Sequence, residues 1–446
     1  MNTSIKKQPN NAAITVDREY PPSVLSWSIW GLGAMLYAVG FFQRTAPSVM
    51  TKELMVDFNI TAAALGQLAS FFFYAYVMMQ IPTGILSSIL GPRKLMVISA
   101  FVTTAGTILF AISNNFVVAA SGLLMVGGAV AMAIVITLEL AGRWLPPDRF
   151  AIASGLIMVV GVIGAFSAGM PLRIMISEFG WRACMVCLSG FSFLIGVLSW
   201  LIIKDDPSEK GYLSYSQKTA EKKQTPKTTV IENIKTSLSY RNTWLMLLVP
   251  CSLIGAMLSF SGLWGVPYLN ARYGLDAQKG ALICSVLLIS FAVGSPILGY
   301  ISDHQNLRKP VYIVGFLLAA VFWFAIILIE VVPIWCLVIM LVIIGFFTGA
   351  MPLSYAIGRE SAPVEVSGII TGIVVTGIMI GPAIVQPVTG WVLDRHWSGI
   401  LETGIRIYTI EAYRSAFIPM LVWIGISSLL VLGIKETYCG KKRGEL

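Results

Sequence analysis

The chain is short of charge. Only 12% of its 446 residues are Asp, Glu, Lys or Arg, about half the share in an average soluble domain. A water-soluble core of this size would need far more polar surface, so a soluble globular fold is excluded. Histidine is nearly missing too: His304 and His396 stand alone, both outside the apolar runs. That removes the usual ingredients of a metal centre. The six cysteines are Cys184, Cys187, Cys251, Cys284, Cys336 and Cys439, and five of them sit in apolar runs. A disulfide framework is therefore not expected. The CxxC spacing of Cys184 and Cys187 has no second Cys or His pair beside it, so it reads as packing. No nucleophile–base constellation and no phosphate loop occurs, and "GRESAP" at 358–363 reads as a loop. An enzyme is not expected, nor a cofactor. The first 23 residues lack the apolar core and cleavage site of a signal peptide, so the first apolar helix is expected to direct insertion.

What is present in abundance is apolar sequence, 56% of the chain. A run needs about 20 residues to span roughly 30 Å of hydrocarbon. Twelve such runs are read at 24–50, 62–88, 95–113, 116–142, 150–174, 181–203, 243–269, 278–302, 310–329, 333–357, 364–391 and 415–434. The sixth and seventh are separated by the longest polar stretch, Lys-rich and containing Pro, Ser and Thr, which suits a linker over 204–241. The expected organisation is a tail over 1–23, a six-helix unit over 24–203, that linker, a second unit over 242–436 and a tail over 437–446.

The net charge of +9 is distributed by side. Of the 31 Lys and Arg, 22 fall on the side holding both termini and the linker. That asymmetry is the positive-inside rule, so this side is expected to be cytoplasmic. The basic excess is thus topology, and no nucleic-acid partner is expected.

The two units echo each other. "GAML" at 33–36, followed by Gly40, recurs as "GAML" at 255–258, followed by Gly262. "GILSSILGPRK" at 84–94 answers "GYISDHQNLRK" at 299–309. "ASGLI" at 153–157 answers "VSGII" at 366–370, with Gly164 matching Gly377. Three matches in one order make a duplicated six-helix unit, and parallel repeats of this kind surround midplane sites in transporters. Gly127, Gly128, Gly161 and Gly164 are expected to serve close helix packing.

The loop "GILSSILGPRK" resembles the signature G-x-L-x-D-R-x-G-P/R-R-K of the major facilitator superfamily. Gly84, Leu86, Gly91, Arg93 and Lys94 match it, while Ser88 and Ile89 replace its Asp-Arg pair. The second copy keeps an acid as Asp303, followed by Arg308 and Lys309. The resemblance implies an all-α membrane fold: twelve transmembrane helices in two pseudo-symmetric six-helix bundles. It also implies that these loops act in gating, as charge–dipole latches at helix ends. With Ser88 in place of the acid, the latch of the first half is expected to be weaker.

Within that superfamily the first 210 residues resemble the anion:cation symporter family of sugar-acid and organic-anion carriers. The resemblance rests on "GFFQRTAPSVM", "DFNITAAALGQL", "YAYVMMQIPTG", "RWLPPDRFAIASGL" and the Trp-Arg of "FGWRACMV". It implies a bacterial inner-membrane symporter that binds its anion at the arginine ending helix 1, Arg44, and faces it with Tyr76. Two departures stand out. Gln43 replaces the acid that the family places beside this arginine, and helix 4 is apolar at the depth of the family's Arg and Glu. Glu139 lies lower, one turn from Arg143, and is expected to pair with it in the gating machinery.

A charge inside hydrocarbon costs roughly 2.5 to 3.5 kcal/mol on insertion scales, so Arg44 needs a purpose. Tyr37, Phe41, Arg44 and Ser48 follow 4-3-4 spacing and share one helix face. A guanidinium there can fork onto a carboxylate or phosphate, with aromatics beside the organic body. Further candidates for substrate contact are Gln80 in helix 2, Trp264 and Tyr268 in helix 7, Tyr355 in helix 10 and Gln386 in helix 11. Helix 7 carries Gly262, Gly265 and Pro267, the marks of a broken cavity helix.

The expected function is secondary active transport of a small, carboxylate-bearing anion by alternating access. Proton or sodium coupling is the expected drive, and a monomer in the bilayer the expected state. A carrier of amino acids, short peptides or a polycarboxylate siderophore is the alternative, and a non-transporting sensor of the same fold a further one. Reporter fusions at residue 220 and at the C-terminus should both register as cytoplasmic; a periplasmic signal from either would break the span assignment.

Overall fold

The computed structural model describes residues 19–215, 230–363, 366–402 and 404–440, so the centre of the expected linker, 216–229, and most of both tails lie outside the described residues. Helix 1 is Ser23–Thr45 and helix 2 is Ala62–Leu90. Helix 3 is Pro92–Ala111, helix 4 is Phe116–Trp144, and helix 5 begins as Pro147–Ser167. Helix 7 starts as Arg241–Ser259, and helices 8 and 9 are Ala277–Gln305 and Lys309–Leu328. Helix 10 is Ile334–Thr348 continued by Leu353–Glu360, helix 11 is Ser367–Arg395 and helix 12 is Ile410–Leu430.

Eleven of the described helices are long and apolar enough to cross a membrane, and a twelfth apolar stretch, Ile152–Ser167, is shorter. The count differs from the expected twelve runs at helices 5 and 6. No loop separates 174 from 181: Met170–Ile202 is helical except at Gly180, with φ 77° and ψ 157°. Gly91, the joint between helices 2 and 3, has φ 78° and ψ 157°. A non-glycine side chain rarely adopts that conformation. The same backbone device thus joins helix 2 to 3 and the end of helix 5 to 6. A polar loop is unnecessary there, which is why composition missed the joint's form.

Helix 7 also differs from expectation. Pro267 does not break it; the chain takes a single π turn over Phe260–Trp264 and resumes as Gly265–Tyr273. A proline lacks the N–H that an α-helical turn requires, and a π turn is one way to absorb the fault. Helix 10 is interrupted before Leu353 instead, at Pro352. "GRESAP" is not wholly a loop either, since helix 10 runs on to Glu360.

Backbone-to-backbone contact holds each half together. A Cβ on Gly164 of helix 5 would lie 2.3 Å from the Ala38 carbonyl oxygen of helix 1. In the second half a Cβ on Gly377 of helix 11 would lie 2.2 Å from the Leu247 oxygen of helix 7. Helix 4 meets helix 2 where Gly127 faces Phe72, and helix 8 meets helix 10 where Gly294 faces Phe346, at 2.0 and 2.1 Å. Lipid offers no hydrophobic drive for helices to associate, so small residues that permit such approach decide who packs with whom.

The two halves are joined at the face opposite the linker, called here the far face. Asp394 Oδ2 accepts from the Ala63 N–H at 2.9 Å, and Tyr408 Oη accepts from the Ala62 N–H at 3.2 Å. Lys52 and Glu402 pair at 3.6 Å. Gly66 and Gly390 bring helices 2 and 11 into backbone contact, and Gly169 meets Ser285 across the second seam. Toward the linker face the same helices part. Gly84, Gly155, Gly299 and Gly372 lie there on helices 2, 5, 8 and 11, and each has open space where a Cβ would stand. The result is a cleft between the halves, shut at the far face.

This packing separates two kinds of glycine. Gly127→Val should cost about 3 kcal/mol or more of stability, because a backbone carbonyl cannot give way. Gly84→Ala should leave the melting temperature in detergent nearly unchanged. Equal losses in thermal-shift measurements would refute the packing role.

Candidate functional site

Arg44 sits in the last turn of helix 1, before the 3-10 turn Ala46–Val49 draws the chain aside. Its guanidinium carbon lies 3.9 Å from the Phe41 ring centroid, a cation–π stack one turn back along the helix. Tyr37 continues the same face, its ring centroid 4.7 Å from that of Phe41. The phenols of Tyr37, Tyr76 and Tyr355 are close enough to interact electrostatically with the guanidinium, and among the described residues no carboxylate is its partner. Arg44 Nε is buried with no hydrogen-bond partner. Helices 1, 2 and 10 therefore converge on one cation dressed in aromatic rings.

Gln80 belongs to the edge of this cluster. It lies one turn from Tyr76 on the same helix, and its Nε2 is buried and unpartnered. Gln43, beside Arg44 in sequence, faces away: its Nε2 donates to Thr107 Oγ1 of helix 3 at 2.5 Å. Ser48 leaves the expected face, because the 3-10 turn lets it donate to the Thr45 carbonyl at 2.8 Å instead.

The π turn of helix 7 forms the far-side floor. A Cβ on Gly262 would lie 3.3 Å from the Arg44 carbonyl oxygen and 3.8 Å from Gln386 Nε2. Trp264 Nε1 donates to the Gln386 carbonyl at 3.1 Å. The Gln386 side chain is fully buried, and neither of its amide atoms has a partner. Trp264 and Gln386 thus close the site from beneath Arg44. Tyr268 does not join them. It lies in the core of the second half, packed on Phe417 and donating to the Ile326 carbonyl at 3.3 Å. The π turn over Phe260–Trp264, just before it, shifts the helical register and rotates it away, which helical spacing alone could not show.

At the linker face the two halves carry one design twice. Glu139 of helix 4 holds both Arg143 and Ser87. Asp205, after helix 6, accepts from the Arg93 N–H at 2.7 Å and so caps helix 3. In the second half Glu360 of helix 10 holds Arg308 at 3.0 Å, and Asp303 holds the same guanidinium. Glu436, after helix 12, accepts from the N–H groups of Arg308 and Lys309, each at 2.9 Å, and caps helix 9. Of the expected gating residues, Gly91 takes the positive φ described above and crowds Asp205, Arg93 also donates to the Trp200 carbonyl at 3.0 Å, and Lys94 is exposed. Asp205, Glu360 and Glu436 were not singled out from sequence. Extending the repeat would have found one of them, since Glu139 and Glu360 are 221 residues apart, within the spacing of the other matches.

The site so built offers no nucleophile with a base, and no group of three or more His, Cys, Asp or Glu that could hold a metal occurs among the described residues. What it offers is a cation in an aromatic sleeve at the floor of a cleft. A sequence profile for the Major Facilitator Superfamily matches residues 33–306 and 256–443. The chain is similar to "Probable sulfoacetate transporter SauU" of Cupriavidus necator, 23% identical over 62% of this chain and 64% of that protein. It is also similar to "Probable galactarate/D-glucarate transporter GarP" of Escherichia coli, 23% identical over 89% of this chain and 90% of that protein. Among solved structures, a bacterial homologue of the human lysosomal transporter Spinster superposes with a TM-score of 0.74 at 17% identity, covering 93% of this chain and 98% of that one.

The two tyrosines separate the site from the core. Tyr355→Phe should weaken ligand binding by about two- to twelvefold, the net worth of one hydrogen bond. Tyr268→Phe should leave binding unchanged and lower only thermal stability. The reverse pattern, measured by titration and thermal shift on the same preparations, would move the site into the second half.

Proposed function

The chain belongs to the Major Facilitator Superfamily, and on that premise we propose that it carries a small organic anion across a bacterial inner membrane, gripping it through Arg44. The protein is an integral membrane transporter and not an enzyme. The two six-helix units, 24–203 and 242–436, are the bodies that rock about the site, with the linker 204–241 on the cytoplasmic side. Arg44 and its sleeve draw on both halves, so one chain holds a complete cleft and a monomer suffices.

The observation that carries this reading is the state of Arg44. It is half-buried, ringed by Phe41, Tyr37, Tyr76 and Tyr355, and paired with no acid. A guanidinium presents a planar fork that matches a carboxylate, sulfonate or phosphate. Sulfoacetate, galactarate and D-glucarate, in the names of the relatives, all bear such groups. Tyrosine hydroxyls and Gln80 suit the hydroxylated body of a sugar acid, and the rings suit its carbon face. Coupling to a proton would need a titratable acid at the site, and among the described residues none faces Arg44.

The test is a double comparison on monodisperse protein. Arg44→Lys should lose most of the binding while still folding, since lysine cannot form the bidentate contact. Arg44→Ala should lose more, by about 1.5 to 3 kcal/mol for a charged hydrogen bond. Converting the ligand's acid to an amide should cost affinity in the wild type and little in Arg44→Ala. Should the two losses simply add, Arg44 does not touch the anion.

A further inference from the structure

Arg44 differs from most other arginines of the helical core and its ends, and from Arg272, which also lacks an acid but donates to the Ile326 and Ile329 carbonyls. Arg143 is paired with Glu139, Arg173 with Glu53, Arg182 with Asp57, Arg308 with Asp303 and Glu360, and Arg406 with Asp394. Arg44 meets the Phe41 ring and three phenols but no described acid, and its Nε has no hydrogen-bond partner. The neighbouring Gln43 cannot take up a charge and is turned to Thr107. The empty site therefore holds a net positive charge, which one acidic group of a bound anion neutralises. This rests on the reading of Arg44 as the anion-binding group.

We infer that the carrier is an obligate anion exchanger, in which the cargo on each leg supplies the counter-charge that lets Arg44 cross the occluded state. Any carrier that opens to one face at a time must pass through a state closed to both. In the open cleft, water serves the guanidinium. Closure removes that water, and an uncompensated buried charge is then strongly unfavourable, whereas a well-formed ion pair is tolerated. A carrier with an acid beside its arginine can return empty, because the acid takes over the guanidinium when the cargo leaves. No described residue can do this here. The loaded carrier crosses in either direction, and the empty one is held at the face where it released. Net uptake down a proton gradient is replaced by one anion in for one anion out.

The first arm of the test needs no cargo. Ser285→Cys, in a background with the native cysteines replaced, puts a thiol at the far-face seam, where Ser285 is buried against Gly169. Labelling by a maleimide from the far side then reports how often the empty protein in liposomes opens that face. Arg44→Gln should raise the rate by at least tenfold, and Arg44→Lys, which keeps the charge, should not. Equal rates in all three would overturn the inference, because the charge would not be the barrier. A rise in Arg44→Lys equal to that in Arg44→Gln would overturn it too, as an effect of packing.

The second arm uses labelled sulfoacetate, galactarate and D-glucarate as probes on wild-type liposomes. Any of them that is taken up should enter vesicles preloaded with the same unlabelled anion at least tenfold faster than empty vesicles, with no change on dissipating a proton gradient. Equal entry into empty vesicles would overturn exchange while leaving anion transport standing. If none of the three moves, the choice of organic anions falls, and the labelling arm alone decides whether the charge of Arg44 gates the empty return.

Discussion

Everything in this molecule depends on how closely one helix backbone can approach another. Inside a bilayer the apolar side chains gain nothing by leaving lipid for protein, so contact must come from shape. The glycines at 127, 164, 294 and 377 answer this by setting a helix face directly on a carbonyl of its neighbour. Gly164 of helix 5, set against helix 1, and Gly377 of helix 11, set against helix 7, are repeat equivalents, and the helices they fix are the ones that frame the cleft. Arg44 is where it is because helix 1 is clamped this way on helix 5. A charge of that cost can be held only on a scaffold that does not give.

The linker-face clusters show the same economy in polar form. Each half ends its last helix with an acid, Asp205 or Glu436, that returns to cap its third helix. Each also places an acid near the end of its fourth helix, Glu139 or Glu360. The halves differ in what those acids hold. Glu139 takes Arg143 from its own helix, whereas Glu360 reaches across to Arg308 beside Asp303. The first half has lost the acid and arginine of the signature at Ser88 and Ile89, and a local i, i+4 pair stands in. Such a pair stiffens one helix; it does not join two. Across helices the first half has only the neutral Ser87 hydroxyl on Glu139, so the charge-paired latch is a property of the second half.

Much of this was legible in the sequence, and the limits have physical causes. Hydrophobic runs reveal spans because lipid punishes any other arrangement. The repeat revealed the two halves, and the isolated Arg44 drew attention to its own helix face. Phe41 and Tyr37 followed from helical spacing, and Tyr76 from the resemblance. Tyr268 went astray because a π turn shifts the register by a residue, and no local pattern announces one. Ser48 did so because a proline turned the helix end into a 3-10 turn. Gly180 joins two helices without a polar loop, so composition could not mark the boundary. Glu360 and Asp394 are acids at helix ends whose meaning lies wholly in partners far along the chain.

Asp394 shows how the closed far face can be both firm and reversible. The first N–H groups of any helix lack partners within it. In helix 2 two of these, on Ala62 and Ala63, are met by Tyr408 and Asp394 of the other half. Arg406 and Tyr408 hold that carboxylate in turn. A carboxylate at a helix N-terminus is favoured by the helix dipole as well as by the bonds themselves. Yet nothing in the contact is lost for good when the face opens, because water can serve the same N–H groups and the same carboxylate. A seam made only of interlocked side chains would have to break its packing to open. Here the glycines of helices 2 and 11 give close approach without interlocking, and the polar caps supply attachment that solvent can replace. The far face is thus closed by groups whose free and bound states differ little in energy, which is what a surface that must open and close in every cycle requires.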